Sequence, residues 1–283
     1  MMMTCKRTHR SLHLPTALML AILLCWPASE AIGQEEETPD KIITNAQLLG
    51  FGAINILDTY LSPEKYQGSE LRYISHTIRE RPGKRWSKEI MHQGSFADAS
   101  DRSEDGNELS GLYTLTCVFQ RDWSLASDQL GISVGGMTCF NIGVNYNSRN
   151  QNNPAQLRLS MQVGPSASAT YHFQLFKKAF TARYELSVPL LGLMFSPNYG
   201  QSYYEIFSRG NYEHNAVVTT PFSSPSMHNM LTLDTKLWGT TLRIGYLGDI
   251  QQARVNGLKQ HYYTHGLLIG FVKHFKTKTI QRP

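Results

Sequence analysis

The sequence predicts an all-β protein: a single closed antiparallel β-barrel that crosses a membrane with about 12 strands in an up-and-down meander. The clearest signal lies in the C-terminal part, where Leu231 and Leu233 alternate with Thr232, Asp234 and Lys236. Successive side chains of a strand point to opposite faces, so this alternation predicts strands with one apolar and one polar face.

Strand length and aromatic placement favour a membrane barrel over a soluble β-sandwich. The alternating runs approach ten residues, which a tilted strand needs to cross a bilayer, whereas strands of sandwiches usually have about five or six. Aromatic residues such as Trp238, Tyr246, Tyr263 and Phe275 lie near the run ends, where a barrel carries its interfacial girdles. A soluble exported β-domain that binds a ligand remains the alternative.

The amino terminus has the features of an export signal, which we predict over residues 1–33. Lys6 and Arg7 form a basic start, residues 14–26 are mostly apolar, and residues 31–33 form a small-x-small cleavage site. The mature chain is therefore expected to begin near the following glutamine and to reach the outer membrane of a Gram-negative bacterium.

The mature chain is expected to form one domain. Residues 34–47 are acidic and polar and predict a flexible lead-in, 48–276 form the outer-membrane barrel, and 277–283 form a polar tail. No segment after the signal is apolar enough for a transmembrane helix, so a membrane protein of this sequence must cross as a barrel.

The predicted strands cover most of this domain. They are 48–60, 68–79, 84–97, 113–120, 129–146, 157–164, 169–175, 180–188, a weaker one near 215–221, and three in the meander over 228–275. The second and third alternate poorly, because charged and apolar residues mix on the same parity.

The connections offer a partial check, because outer-membrane barrels have short periplasmic turns and longer outer loops. Residues 164–168 are predicted as a periplasmic turn, and 98–109 and 147–154 as outer loops. The exception is 195–214, the longest connection, which this strand count places on the periplasmic side. Its portion 201–208 is predicted as a short helix.

Charge and cysteine content exclude several classes of function. The formal net charge is +5, and loss of three basic and one acidic residue with the signal leaves about +3, too little to predict a nucleic-acid partner. Cys117 and Cys139 fall on opposite faces, so a disulfide requires a bulge at 135–136. No metal-ligand spacing or cofactor motif is present. Outer-membrane lipids are the expected partners, and protein partners are undetermined.

Charged residues on the polar faces predict a network inside the barrel. A charge on the lipid face is costly, so these side chains are expected to point inward and to pair across a narrow lumen. The predicted network comprises Arg158, Arg183, Glu185, Asp234, Lys236 and Arg243. A plug favours a structural role, and a small selective pore is the alternative.

One constellation suggests lipid hydrolysis: His92, Ser95 and Asn107 faintly resemble the triad of outer-membrane phospholipase A. In that family the serine follows the histidine by two residues, so both point the same way. The spacing of three places His92 and Ser95 on opposite faces of a regular strand, unless Gly94 forms a bulge. Ordinary strand and loop roles are therefore favoured, and an enzyme is not the leading prediction.

Residues 197–207, followed by 231–232 and 242–246, resemble a Bacteroidetes family of predicted outer-membrane β-barrels known only as a domain of unknown function. The resemblance covers roughly residues 45–275. It implies the fold and the location, and it supplies no catalytic residues. One departure is that the chain continues to Pro283 after Phe275, whereas many such barrels end on an aromatic residue.

Overall fold

The computed structural model describes residues 41–237 and 239–277, which form twelve strands and one short helix. The strands are β1 Lys41–Asp58, β2 Tyr66–Glu80, β3 Trp86–Ser100, β4 Asn107–Leu125, β5 Leu130–Asn147, β6 Ala155–Leu175, β7 Lys178–Ser187, β8 Leu191–Phe195, β9 Ala216–Thr219, β10 Met227–Leu237, β11 Thr240–Val255 and β12 Leu258–Thr277. The helix, α1, is Tyr203–Phe207. The predicted signal peptide, Trp238 and the tail after Thr277 lie outside the described residues.

The sheet closes on itself, which confirms the predicted antiparallel barrel. β1 pairs with β12 from Lys41↔Thr277 to Asp58↔Gln260, so the first and last strands seal the ring. Of the twelve strands, ten form the ring and two, β8 and β9, lie outside it. We call the end that holds Lys41 the lower end and the end that holds Asp58 the upper end.

Side chains alternate between the outside and the interior along each strand. On β1, Leu48 and Ile56 are buried in the interior while Phe51 between them is 66% exposed. On β12, Leu268 is buried and its neighbour Leu267 is 73% exposed. The alternation predicted for the C-terminal meander is thus present, and the interior contains apolar side chains as well as charges.

Two predicted boundaries are wrong. β1 begins at Lys41, so residues 41–47, predicted as a flexible lead-in, are paired with β2 and β12. Residues 157–164 and 169–175, predicted as two strands with a turn between them, form the single strand β6. The ladder with β5 runs unbroken from Tyr146↔Ala155 to Leu130↔Tyr171, so tertiary pairing overrides the local turn signal of Gly164 to Ser168.

Joining these two strands moves the next two connections, 176–177 and 195–214, to the other end of the barrel. The long connection 195–214 therefore lies at the upper end, together with the loops that follow β3 and β5, and the predicted exception to the loop-length rule disappears. The lower end has short turns, with left-handed backbone at Gly83, Phe176 and Lys177.

The wall is interrupted above the ladder that joins β7 to β10. Pro189 lies between β7 and β8, which pair with the lower and upper parts of β6 respectively. β9 pairs only with β8, and residues 220–226, with Pro221 and Pro225, separate it from β10. Proline has no amide hydrogen for a ladder, which accounts for both breaks.

Helix α1, close to the predicted position, is fixed by a capping box. The Ser202 side chain accepts from the Glu205 amide, and a Glu205 carboxylate oxygen accepts from the Ser202 amide at 2.8 Å. Donation from the Ser202 amide and hydroxyl holds the pKa of Glu205 below its usual range. No helix in the described part of the chain is long and apolar enough to span a membrane.

Candidate functional site: the barrel interior

A charged cluster crosses the middle of the interior. Glu89 on β3 lies 3.2 Å from His76 Nε2 on β2, and Arg183 on β7 donates to both Glu89 and Glu185. The His76 side chain is 1% exposed and that of Glu89 is 5% exposed, whereas Arg183 and Glu185 are 11% and 12% exposed. Because β3 and β7 lie on different sides of the ring, this central cluster ties opposite walls together.

A second cluster is centred on Arg72, which points inward from β2. Its Nε donates to Glu70 at 2.7 Å and its Nη1 to Asp249 on β11 at 2.9 Å. Asp249 also lies 2.7 Å from His228 Nδ1 on β10, and Glu70 accepts from Thr264 at 3.1 Å. Both carboxylates and the guanidinium are therefore satisfied although they are buried, as buried charges require.

Towards the lower end, Arg243 and Asp234 form a two-bond salt bridge. Arg243 Nε and Nη2 donate to the two carboxylate oxygens of Asp234 at 2.6 and 2.7 Å. The two residues are direct register partners on β10 and β11 and share the inward face. This paired fork is the strong geometry for arginine and carboxylate.

Arg158 lies towards the upper end and has a different environment. Its guanidinium donates to Ser110 at 2.9 Å and to Gln251 at 3.0 Å, and lies 3.5 Å from the ring centre of Tyr262. It makes no salt bridge with any carboxylate of the described residues. Asp58 instead accepts from the Tyr262 hydroxyl at 3.1 Å.

Apolar side chains fill the space between the charges. A buried cluster inside the barrel is formed by Ala46, Leu48, Ile74, Met230, Leu247, Leu268 and Val272. Small spaces remain among these groups. One cavity of about 50 Å³ borders Arg72 and Met230, and another of about 50 Å³ borders Arg158 and Tyr262.

The lower end opens into a much larger vestibule. Its volume is about 1230 Å³, and Arg183 and Arg243 border it where the interior begins. Lys84, Arg85 and Lys236 border it as well, together with the acidic residues Glu80, Asp122 and Asp128. The vestibule ends at the salt bridges, so the interior is wide at the lower end and packed in the middle.

The six residues predicted as an inward network occupy different sites. Arg183 pairs with Glu185, and Asp234 pairs with Arg243. Arg158 lies apart from these pairs, and Lys236 is an exposed residue bordering the vestibule.

Sequence reasoning missed important members of the central and Arg72-centred clusters. Glu70, Arg72, His76 and Glu89 are buried on β2 and β3, the two strands whose alternation was weak. Their inward face also carries Ile74 and Ile78, so polarity alone did not reveal the phase. The signal that remained was parity: Glu70, Arg72 and His76 are separated by even numbers of residues.

The residues of the suggested hydrolase triad are not brought together. His92 points outward and its Nδ1 lies 2.8 Å from the Tyr113 hydroxyl, whereas Ser95, three residues later, has the inward parity. Asn107 begins β4 and accepts from Ser100 at 3.2 Å. The β2–β3 and β3–β4 ladders pass Gly94 without a bulge.

The two cysteines lie on opposite faces of the barrel wall. Cys139 is buried inside, Cys117 is on the other face, and neither forms a disulfide; the ladder passes Gly135 and Gly136 without the bulge that pairing required. Ligand atoms of His76, Glu89 and Glu185 lie within 4.8 Å of one another.

Arg183 already donates to both of these carboxylates. A cation at this point must therefore displace the guanidinium.

Comparison with known families places the chain in one of them. The family described as "Protein of unknown function (DUF3316)" matches residues 16–282. The chain belongs to this family. For this DUF3316 protein, no match was found among curated proteins.

Several solved barrels are similar to the DUF3316 chain. The outer membrane protease OmpT from Escherichia coli is 7% identical with a TM-score of 0.41, over 87% of this chain and 99% of that one. The AIDA-I transport unit from Escherichia coli is 7% identical with a TM-score of 0.39, over 90% and 96%. The NalP translocator domain from Neisseria meningitidis is 9% identical with a TM-score of 0.35, over 91% and 94%. The fold assignment itself rests on the strand pairing described above.

Proposed function

We propose that this protein is an integral outer-membrane β-barrel whose interior is plugged by salt bridges and apolar side chains. A structural role leads, and passage of small solutes requires the plug to move. The observation that carries the proposal is a closed ring with large apolar side chains outside and paired charges inside.

Exposed apolar residues support the membrane placement. Leu49, Phe51, Leu71, Leu267 and Ile269 point outward and are all more than half exposed. A soluble protein rarely leaves such a continuous apolar surface in water, whereas a bilayer covers it. The signal-like sequence of residues 1–33 supports export with cleavage before Gln34. The resemblance of residues 197–207 to a Bacteroidetes barrel family extends the proposal to a Gram-negative, Bacteroidetes source.

An aromatic and basic girdle supports an interface near the lower end. Trp86 and Phe119 stack with ring centres 4.8 Å apart, and Arg121 lies 6.0 Å from the Trp86 ring centre. Lys88 lies 5.9 Å from the Phe119 ring centre. Such pairs place an apolar ring at the edge of the hydrocarbon and a charge among the headgroups. Because outer-membrane barrels have short periplasmic turns and longer outer loops, the short turns at this end assign it to the periplasmic side.

The central cluster supports a plugged interior. Arg183 from one wall contacts Glu89 from another, and the cavities above it hold only about 50 Å³ each. Movement of a solute past this point requires exposing buried charges or breaking their pairs, which costs several kcal/mol. The resting state of the proposed barrel is therefore the plugged form.

Two measurements test the proposal. Detergent-purified protein is expected to migrate differently on gels before and after boiling, as a stable barrel does; identical mobility would contradict the membrane placement. Glu185→Ala is expected to lower thermal stability or raise ion conductance in planar bilayers, because Arg183 loses one of its two carboxylates. The outward Leu186→Ile is the matched control. Equal melting and conductance of Glu185→Ala and the unmutated protein would contradict the plug.

A further inference from the structure

The barrel wall has a seam beside the upper part of β11. The ladder between β10 and β11 ends at Met227↔Ile250, but β11 continues to Val255. Residues 220–226, rather than a strand, lie along this upper portion. We call the line between residues 220–226 and 251–255 the seam.

Few hydrogen bonds hold the seam, and most of them use side chains. The Arg254 amide donates to the Ser223 carbonyl at 2.7 Å, the Ser224 hydroxyl donates to the Gln252 carbonyl at 2.6 Å, and the Gln252 amide donates to the Ser226 hydroxyl at 3.3 Å. A regular ladder uses main-chain groups throughout. Hydroxyl links of this kind open without unravelling a strand.

The segment at the seam has its own local hydrogen bonds. The Ser223 and Ser224 amides donate to the Thr220 carbonyl at 3.0 and 2.7 Å, and the Thr220 amide donates to the Ser223 hydroxyl at 3.0 Å. Both ends are fixed, by the β8–β9 ladder above and the β10–β11 ladder below. The segment can therefore move as a unit while the ring stays closed.

A cationic cavity lies directly behind the seam. Ser224, Ser226 and Gln251 line it, together with Arg158 and Tyr262. Arg158 is the side chain without a salt bridge described above, and its partner Gln251 is adjacent to the residue that both serines contact. The cavity of about 50 Å³ has room for a small anionic group but not for a hydrocarbon chain.

The outer side of the seam is apolar along residues 218–222, whereas its β11 side carries Gln252 and the exposed Arg254. Phe222, in the middle of the segment, is 99% exposed, and Val218 just before it is 63% exposed. In the membrane placement proposed above, on which this inference rests, both contact lipid. One loop thus separates a positive charge from the bilayer.

We propose that the seam is a lateral gate and that the Arg158 cavity binds the carboxylate of a single-chain anionic amphiphile, such as a fatty acid. The headgroup is held by the Arg158 guanidinium, whose charge has no salt-bridge partner among the described residues. The alkyl chain extends through the opened seam into the lipid, because the cavity is too small to enclose it.

The test uses the full mature chain in phosphatidylcholine nanodiscs with dansyl-undecanoic acid as the probe. Saturable binding of the acid is expected, and its methyl ester, which has no charge, is expected to bind at least about 10-fold more weakly, as loss of a charged hydrogen bond predicts. Arg158→Gln should weaken binding of the acid by about the same factor and abolish the preference over the ester. Lys259→Gln, an exposed change on β12, is the control and should leave affinity unchanged.

A second variant tests the gate itself. Ser224→Ala combined with Ser226→Ala removes two of the three seam hydrogen bonds. The probe should then associate several times faster, because this loss lowers the free energy needed to open the seam by about 1 kcal/mol. Unchanged or slower association would overturn the gate.

Two outcomes would overturn the binding site while leaving the membrane placement intact. In one, the wild-type protein is heat-modifiable but binds no acid; in the other, Arg158→Gln and Lys259→Gln lose affinity for the acid equally. If Arg158→Gln loses the heat-modifiable barrel, Arg158→Lys decides, because it retains the charge. Retained preference for the acid would support the site, and loss of that preference would overturn it.

Discussion

The wall of this barrel is built in two ways. Strands β1 to β5 are 15 to 19 residues long and pair with their neighbours in continuous register. The four strands from β7 to β10 are 10, 5, 4 and 11 residues long, and prolines lie in the connections between β7, β8, β9 and β10. We call these the regular half and the interrupted part.

The comparison shows that side-chain hydrogen bonds can replace part of the main-chain ladder in a barrel wall. In the regular half, main-chain ladders close the wall. In the interrupted part, β7 and β10 keep the ring closed below, while the Ser224, Ser226 and Asn256 side chains replace the ladder above. A short ladder between β7 and β10 is therefore enough to close the ring, and the wall above it is not needed for closure.

The largest effect is expected from the central cluster, because it joins the two parts. Glu89 lies in the regular half and Arg183 in the interrupted part. Glu89→Ala leaves Arg183 and His76 without this carboxylate, and breaking a buried pair costs about 4 kcal/mol. We expect a marked fall in the temperature at which the heat-modifiable band is lost.

Glu89→Gln serves as the control for shape, since it retains an oxygen for His76 and Arg183. It should lose clearly less stability than Glu89→Ala. Thermal loss of Glu89→Ala at the wild-type temperature would mean that the two parts of the wall are not coupled through this cluster.

A smaller loss is expected from crowding the regular half at ring closure. A Cβ added at Gly52 would lie 2.2 Å from the His265 carbonyl oxygen and 2.5 Å from Gly266 Cα, both main-chain atoms of β12. The β1–β12 ladder must shift, so Gly52→Ala should cost about 2 kcal/mol. The measurement is the yield of heat-modifiable barrel on refolding into detergent.

Gly94→Ala is the matched control, because a Cβ there meets no atom within 4 Å. Equal refolding of both alanine variants would show that the approach of β1 to β12 is looser than the regular register implies.

The regular half and the interrupted part also differ in how far sequence reveals them. The phase of β10, β11 and β12 is strong because the outward positions are mostly large and apolar, whereas the inward face mixes charged and small residues with a few apolar ones such as Leu247 and Leu268. The alternation of polar and apolar residues along β2 and β3 is weak because side chains fill a lumen this narrow. Ile74 therefore shares the inward face with Arg72 and His76. The inward side of a packed barrel is therefore not uniformly polar, and alternation fades.

Other features were beyond local patterns altogether. Gly164 to Ser168 has the composition of a turn, and only the distant β5 partner keeps it extended. Contact between Glu89 and Arg183 depends on ring size, which parity does not give. The seam likewise appears only when the register places residues 220–226 beside the upper part of β11.

The smallest effect is expected at the tip of the β11–β12 hairpin, which holds the upper segment in place. The Asn256 side chain donates to the carbonyls of Ser196 at 3.0 Å and His214 at 2.9 Å. Asn256 has a left-handed backbone with φ of 51°, so Asn256→Gly preserves the turn and removes these two bonds and a longer one to the Pro197 carbonyl at 3.4 Å, each worth about 1 kcal/mol or less. Trypsin should cleave faster after Arg209 while barrel melting stays nearly unchanged.

Lys177→Gly, at a left-handed position of a lower-end turn, should not affect that cleavage. If Asn256→Gly lowered barrel melting as much as Glu89→Ala does, the upper segment would be part of the ring's stability, and the division into a closed ring and a tethered upper segment would fail.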